Sequence, residues 1–204
     1  MTEIERELRT AGAAPAAATI RDRGANALVL GFAGLMWFGW SQEGPPVSWV
    51  PFLVAGSALG AVVAIAALIL THKYRGSASA MGEAGGNKSY RRVVGTEVGA
   101  IAVGAAVLGM TGHAPYISPW ILFIVGAHFL PLAKLFRIVS LRICGLLVAA
   151  AAVVATVIGL TSDILPSAVA GGGGGLLMVV FGAYSLQSGW RDHAKDAPRH
   201  VTET

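Results

Sequence analysis

Charged residues are scarce in this chain. Asp, Glu, Lys and Arg make up 13% of its 204 residues, whereas a soluble globular domain carries about 25%. Hydrophobic residues make up 54% and the mean hydropathy is +0.64, which is typical of a protein that crosses a membrane several times. The chain has one cysteine, Cys144, so an intrachain disulfide and a thiol-rich metal site are both excluded.

Motifs that carry enzyme chemistry are also missing. The sequence contains no GxxxxGK[ST] phosphate loop, no HExxH, no CxxC and no GxSxG. Three polar residues of separate connections, Glu43, His113 and Asp163, lack the spacing of metal ligands. We therefore expect no metal and no cofactor, and the sequence leaves open whether the protein is an enzyme.

Six long apolar segments lie between the charged residues. They cover residues 25–40, 49–70, 93–111, 118–136, 141–160 and 165–186. Most approach the ~20 residues with which a helix crosses a ~30 Å hydrocarbon core, and the first is shorter. The segments predict an all-α polytopic membrane protein with six transmembrane helices. Its transmembrane domain spans residues 25–186, with cytoplasmic tails at 1–24 and 187–204 and a flexible, Gly-rich cytoplasmic connection at 72–92.

The basic residues predict the orientation. All 15 Lys and Arg residues lie in the two tails or beside the second and fourth connections. The positive-inside rule then places both termini and the even-numbered connections in the cytoplasm. The expected location is the cytoplasmic (inner or plasma) membrane. Basic residues that flank membrane helices attract anionic lipid headgroups, so the expected partners are the bilayer and these headgroups rather than nucleic acid. Trp and Tyr residues near the span ends, Trp120 among them, indicate interfacial belts.

Small residues recur at helical spacing in two spans. The third span has Gly95, Gly99, Ala102, Ala106 and Gly109, and the fifth has Gly145, Ala149, Ala152, Thr156 and Gly159. Such stripes allow close helix contact in lipid, so we expect both to pack on neighbouring helices. The sequence leaves open whether the protein forms an oligomer. Aligning the two stripes suggests three related helical hairpins. In that alignment of hairpins Tyr184 is the counterpart of His128.

Five consecutive glycines occupy residues 171–175 of the sixth span. Each costs about 1 kcal/mol relative to Ala in a helix interior, so the run needs a structural reason. We expect tight contact with a neighbouring helix. The alternative is a broken helix whose free backbone groups bind a ligand.

Two ionisable residues, Glu97 and His128, remain inside the spans once tails and connections are set aside. Such residues are costly at membrane depth and mark functional sites. At 1.5 Å per residue, both lie ~8–9 Å inside the cytoplasmic boundary. They are also equally distant from the turn between the third and fourth spans. We therefore predict that they face each other across two antiparallel helices, directly or through water.

Pro131 adds an acceptor near this pair, because proline has no N–H to donate to the carbonyl of Ala127. The predicted binding site consists of Glu97, His128 and Pro131, with Tyr184 as the repeat counterpart. A Glu–His pair can share or relay a proton near neutral pH, or it can simply pin two helices together. Three functions stay open. They are a transporter-like or small-molecule-binding protein, a membrane enzyme using acid–base chemistry on a lipid or isoprenoid, and a scaffold without a substrate.

Overall fold

The computed structural model describes residues 19–76, 88–136 and 138–196, and all regular elements within them are helices. The six long helices are α1 Ile20–Trp40, α2 Val50–Lys73, α3 Lys88–Met110, α4 Ile117–Phe136, α5 Val139–Thr161 and α6 Pro166–Asp196. Short 3-10 helices at Ser41–Glu43, Val47–Trp49 and Ala114–Tyr116 lie in the connections. The prediction of an all-α polytopic membrane protein is confirmed. Most of the predicted N-terminal tail, residues 77–87 of the predicted connection and residues 197–204 lie outside the described residues.

Five of these helices, α2 to α6, are long and apolar enough to cross a membrane. Helix α1 is not among the five, because polar residues interrupt its apolar run near its start. Those residues are Arg21, Asp22, Arg23 and Asn26. The structure therefore has the six long helices that the sequence predicts. Helix α1 differs from the other five because it is less apolar than an ordinary membrane span.

Helix α1 begins earlier than the predicted first span because Thr19 caps it. The N–H of Asp22 donates to Thr19 Oγ1 at 3.2 Å, and the N–H of Thr19 donates to Asp22 Oδ2 at 3.2 Å. This reciprocal arrangement is a capping box, which satisfies two backbone N–H groups at the helix start. Residues 20–24, which include the charged Arg21, Asp22 and Arg23, thus belong to α1. At the other end of the chain, α6 continues to Asp196, beyond the predicted limit at residue 186.

The helices pack as antiparallel neighbours. Helix α1 packs on α2 and α6, α5 packs on α4 and α6, and α3 packs mainly on α4 at the edge of the bundle. The start of α1 meets the end of α6 and the end of α2, as contacts of Arg23 with Ser188 and of Gly24 with Thr71 demonstrate. All Lys and Arg residues in the described part of the chain lie at this same end, called here the basic end.

Glycines allow the close approach of several helix pairs. A Cβ on Gly60 would lie 2.7 Å from the backbone N of Leu35 in α1, and one on Gly126 would lie 2.6 Å from that of Ala149 in α5. The glycines at 171–175 belong to the continuous helix α6, and Gly171 packs against the backbone of α1. Tight packing of this run is confirmed, and the broken-helix alternative is wrong.

The stripe of small residues in α3 is an exception. A Cβ on Gly95, Gly99 or Gly109 would meet no atom within 4 Å, and no residue of α3 with a described side chain is buried. The prediction that this stripe packs on a neighbouring helix of the same chain is therefore wrong. Helix α3 lies at the edge of the bundle, and its stripe faces outward. The stripe of α5 does pack, with Gly145 against Gly126.

The three predicted hairpins are present as the antiparallel pairs α1–α2, α3–α4 and α5–α6. Their packing differs, since α1 and α2 are in contact through glycines along their length while α3 touches α4 through larger side chains. That the hairpins are related to one another stays a prediction.

Candidate functional site

Glu97 of α3 and His128 of α4 face each other. His128 Nδ1 lies 3.2 Å from Glu97 Oε2, and the two side chains are 9% and 18% exposed, respectively. The predicted pairing of these residues is confirmed as a geometric relationship, and it is direct. Both residues lie in the halves of their helices nearer the basic end, because each is well removed from the turn that joins α3 to α4.

The register of α3 against α4 has a local origin. Gly112, in the turn between them, has a φ of 77°, a conformation that glycine adopts without steric strain. Two contacts join α3 to α4 at different distances from this turn. The indole N–H of Trp120 donates to the carbonyl of Ala100 at 3.1 Å, and the rings of Tyr90 and Phe136 lie 6.2 Å apart near the basic end. Glu97 lies 15 residues before Gly112 and His128 lies 16 residues after it, so an antiparallel pair of helices joined by this turn places the two residues at nearly the same level.

The contact between Glu97 and His128 is short but poorly aligned. By distance it is an ion-pair contact, yet His128 Nδ1 is buried and has no hydrogen bond of acceptable geometry in the described part of the chain. Buried polar atoms in proteins nearly always have a hydrogen-bond partner. His128 Nδ1 thus retains the capacity to bind a polar group that reaches it.

A groove of about 360 Å³ surrounds this pair. Its polar lining consists of Arg92, Thr96, Glu97 and His128, and its remaining wall includes Ala100, Ile124, Ala127 and Pro131. Because α3 lies at the edge of the bundle, the groove opens on the outer surface of the α3–α4 pair and not toward the bundle centre. Its volume is within the range of roughly 300–1,000 Å³ that is usual for small-molecule sites.

The polarity of the groove changes along the helices. Arg92 and Thr96 are exposed and lie nearest the basic end, Glu97 and His128 follow, and Ala100 lies toward the middle of the bundle. Pro131 is exposed within α4 and lines the groove, where it has no N–H to donate to the carbonyl of Ala127. The groove therefore combines hydrogen-bond donors and acceptors at one end with an apolar surface at the other.

Tyr184 does not line this groove. It lies on α6, its side chain is 53% exposed, and α6 packs chiefly on α1, α5 and α2. The structure thus brings Glu97, His128 and Pro131 together and leaves Tyr184 apart from them. Similarity between hairpins does not place equivalent residues in one site, because each hairpin has different neighbours.

The structure also contains a feature that the sequence pattern did not reveal. A second groove of about 370 Å³ lies between α3, α4 and α5 near the end opposite the basic end, and its lining includes Tyr116, Trp120 and Thr156. Trp120 lies at the border of the two grooves, because it lines the second one while its N–H donates to the carbonyl of Ala100, a lining residue of the first. The sequence predicts only that Trp120 belongs to an interfacial belt. Its place at the border of the two grooves is known from its packing in the structure.

A buried polar cluster between α1 and α6 was also missed. Asn26 Nδ2 donates to Ser185 Oγ at 3.1 Å, and Ser185 Oγ donates to the carbonyl of Arg23 at 3.0 Å. Asn26 is 4% exposed and Ser185 is 2% exposed. The sequence feature that indicates this cluster is the polar residue Asn26 within an otherwise apolar segment. Since these groups bind one another, the cluster joins two helices and leaves little polar capacity for a ligand.

The Glu97–His128 pair is suited to binding a proton or a polar group. A carboxyl and an imidazole at this distance can exchange one proton between them or with a bound molecule, which is the basis of general acid–base chemistry. In the described residues, no three His, Cys, Asp or Glu side chains come together as a metal-binding cluster. Glu43, His113 and Asp163 are exposed in connections at the end opposite the basic end.

Known proteins offer no additional assignment for this arrangement. Comparisons of the chain with protein-family models, with curated proteins and with solved structures found no match.

Proposed function

We propose that this membrane protein binds a small amphiphilic molecule, which enters the groove between α3 and α4 from the bilayer. The observation that carries the proposal is the position of the 3.2 Å Glu97–His128 contact in a groove of about 360 Å³. Ionisable residues at membrane depth usually face the protein interior and participate in function. Here they line a groove on the outer surface of two helices, which a molecule dissolved in the bilayer can reach.

The chemistry of the groove indicates the class of molecule. Arg92 and His128 supply hydrogen-bond donors. The hydroxyl of Thr96 donates to the carbonyl of Arg92 at 2.9 Å and therefore offers an acceptor, and Glu97 supplies an acceptor or, when protonated, a donor. A carboxylic acid or hydroxyl headgroup satisfies such a mixed set. The apolar wall beyond the pair, at Ala100 and Ile124, suits the hydrocarbon part of the same molecule.

We also infer that the basic end faces the cytoplasm and that the membrane is the inner membrane. The support is the concentration of Lys and Arg at one end of the described helices, which follows the positive-inside rule. Under this orientation the headgroup of the bound molecule lies in the cytoplasmic half of the bilayer.

The test uses a photoactivatable fatty acid that carries a diazirine, added to the protein in liposomes. After illumination and proteolysis, we expect label on the segments 92–100 and 124–131. Replacement of a hydrogen-bonding partner costs about 1.5–3 kcal/mol when a charged group is involved, so Glu97→Gln and His128→Gln should each lower labelling roughly tenfold. The matched controls are Glu43→Gln and His72→Gln, which alter exposed residues outside the groove.

Two results would overturn the proposal. One is labelling spread evenly over all six helices, since that shows contact with lipid and not a site. The other is unchanged labelling of the two segments in both Glu97→Gln and His128→Gln, with each variant as stable as the unmodified protein.

A second candidate function is transport along the α3–α4 pair. The observation in its favour is the second groove of about 370 Å³, which begins at Trp120 and is lined by α3, α4 and α5. A molecule passing from one groove to the other would require Trp120 to leave its position over Gly104. Transport would therefore depend on movement of one aromatic side chain between two existing grooves.

A further inference from the structure

A separate groove lies between the end of α4 and the start of α5, at the basic end. Its volume is about 710 Å³, and it is lined by Leu130, Ala133, Lys134, Val139, Arg142 and Leu146. It lies apart from the groove of the Glu97–His128 pair, with which it shares no lining residue. Its occupant therefore does not depend on the function proposed above.

The lining residues occur at matching heights on the two helices. Lys134 lies one helical turn after Leu130 in α4, and Arg142 lies one turn before Leu146 in α5. Residues four apart lie on one face of a helix. Since α4 and α5 run antiparallel and are in contact through Gly126 and Gly145, the two cations are level with each other at the basic end. The two leucines are level one turn deeper.

The two cations are unpaired within the described residues. Both side chains are exposed, and no Asp or Glu side chain in the described ranges forms an ion pair with Lys134 or Arg142. Two positive groups are thus held on opposite sides of one groove without a protein carboxylate between them. A single anionic group in the groove could interact with both.

We propose that this groove binds an anionic phospholipid of the surrounding bilayer. The phosphate lies between Lys134 and Arg142, and an acyl chain extends over Leu130 and Leu146. Arginine and lysine both bind phosphate, arginine with two parallel hydrogen bonds. The apolar part of the groove argues for a lipid and against a free phosphate, because Leu146 is 54% exposed and Val139 is 73% exposed, both available to hydrocarbon.

The test is native mass spectrometry of the purified full-length protein with added phosphatidylglycerol or phosphatidylcholine. We expect phosphatidylglycerol to bind more tightly to the unmodified protein. Each basic residue near a membrane surface contributes about as much as a fivefold change in affinity for anionic lipid. The double variant Lys134→Gln and Arg142→Gln should therefore bind phosphatidylglycerol roughly 25-fold more weakly, with phosphatidylcholine binding unchanged.

The matched control is the double variant Lys88→Gln and Arg91→Gln, which removes two exposed charges from the basic end outside this groove. An equal loss of phosphatidylglycerol in this control would show a general charge effect and overturn the site. Full retention of phosphatidylglycerol by the Lys134 and Arg142 variant would also overturn it.

A competition experiment separates a lipid from a free phosphate. Glycerol phosphate, which has the headgroup chemistry without acyl chains, should fail to displace phosphatidylglycerol at equal concentration. Displacement at equal concentration would contradict the proposed lipid. Because attraction between exposed charges is screened by salt, raised ionic strength should also weaken phosphatidylglycerol binding to the unmodified protein, a result that requires no variant.

Discussion

The indole ring of Trp120 in α4 packs directly over Gly104 in α3. A Cβ on Gly104 would overlap the ring at Nε1 and Cε2. The absence of a side chain at Gly104 is therefore what admits the ring, and the hydrogen bond from Trp120 to the Ala100 carbonyl at 3.1 Å holds it there. The contact of Trp120 with Gly104 thus lies at the border between the groove of the Glu97–His128 pair and the groove at the other end.

Gly104→Ala should displace Trp120 and destabilise the protein. The added methyl group overlaps the ring, and extra volume in a packed site costs about 1–3 kcal/mol. Thermal unfolding in detergent, followed by circular dichroism, measures the change. Gly99→Ala is the control, because it adds the same methyl to the same helix with no atom within 4 Å and should be neutral or slightly stabilising. Equal effects of the two substitutions would contradict the described packing.

Displacement of Trp120 should also connect the two grooves. Thr96→Cys in a Cys144→Ala background gives one exposed thiol in the groove of the Glu97–His128 pair, since Cys144 is the chain's one cysteine. We expect a membrane-impermeant thiol reagent to label this cysteine only from the cytoplasmic side. With Gly104→Ala added, labelling from the other side should increase.

Two outcomes of this labelling experiment would contradict the proposals. Labelling from the outer side without Gly104→Ala would mean that Trp120 does not separate the grooves. Labelling from the outer side alone would contradict the proposed orientation. A cysteine at His72, exposed near the basic end, serves as the positive control for cytoplasmic labelling.

Gly126→Ala should destabilise the α4–α5 contact more than a surface change does. A Cβ at Gly126 would lie 2.6 Å from Ala149 N and 2.8 Å from Gly145 O. Because these are backbone atoms, the helices must separate, and we expect a loss of about 1–3 kcal/mol. Denaturation of the purified protein would measure it, with Gly109→Ala as the control that meets open space. Stability equal to that of the control would show that α4 and α5 do not approach this closely.

The pairing of Glu97 with His128 could be predicted because it depends on local geometry alone. Two helices joined by a short turn run antiparallel, so residues equally distant from the turn lie level with each other. The groove around the pair could not be predicted in the same way. Its shape depends on α3 lying at the edge of the bundle, and the order of helices in space is set by packing among all of them.

The stripes of small residues show the same limit. The third and fifth spans have one spacing of small residues, yet the α5 stripe packs through Gly145 while Gly95 and Gly99 face outward. The spacing of small residues indicates that they share one face of a helix. It does not indicate whether another helix packs against that face. The start of α1 illustrates another cause. The charges among residues 20–24 favour a tail, whereas the structure places these residues in a helix. The hydrogen bonds of Asn26 and of the Thr19–Asp22 capping box account for polar groups there.

Ser185→Ala should destabilise the protein through the buried cluster between α1 and α6. The hydroxyl of Ser185 accepts a hydrogen bond from Asn26 Nδ2 at 3.1 Å and donates one to the carbonyl of Arg23 at 3.0 Å. Removal of the hydroxyl leaves the amide of Asn26, which is 4% exposed, without this acceptor. A buried polar group deprived of its partner costs about 1–3 kcal/mol.

Thermal unfolding of Ser185→Ala measures this loss, and Ser48→Ala is the matched control because Ser48 is exposed. The double variant Asn26→Leu with Ser185→Ala distinguishes a lost hydrogen bond from a general packing defect. Since it removes both polar partners, it should recover part of the stability that Ser185→Ala loses, as replacement of both members of a buried pair by apolar groups can be nearly neutral. If the double variant is less stable than the sum of the two single changes predicts, the hydroxyl of Ser185 does not act through Asn26, and α1 and α6 are held together at this level by other contacts.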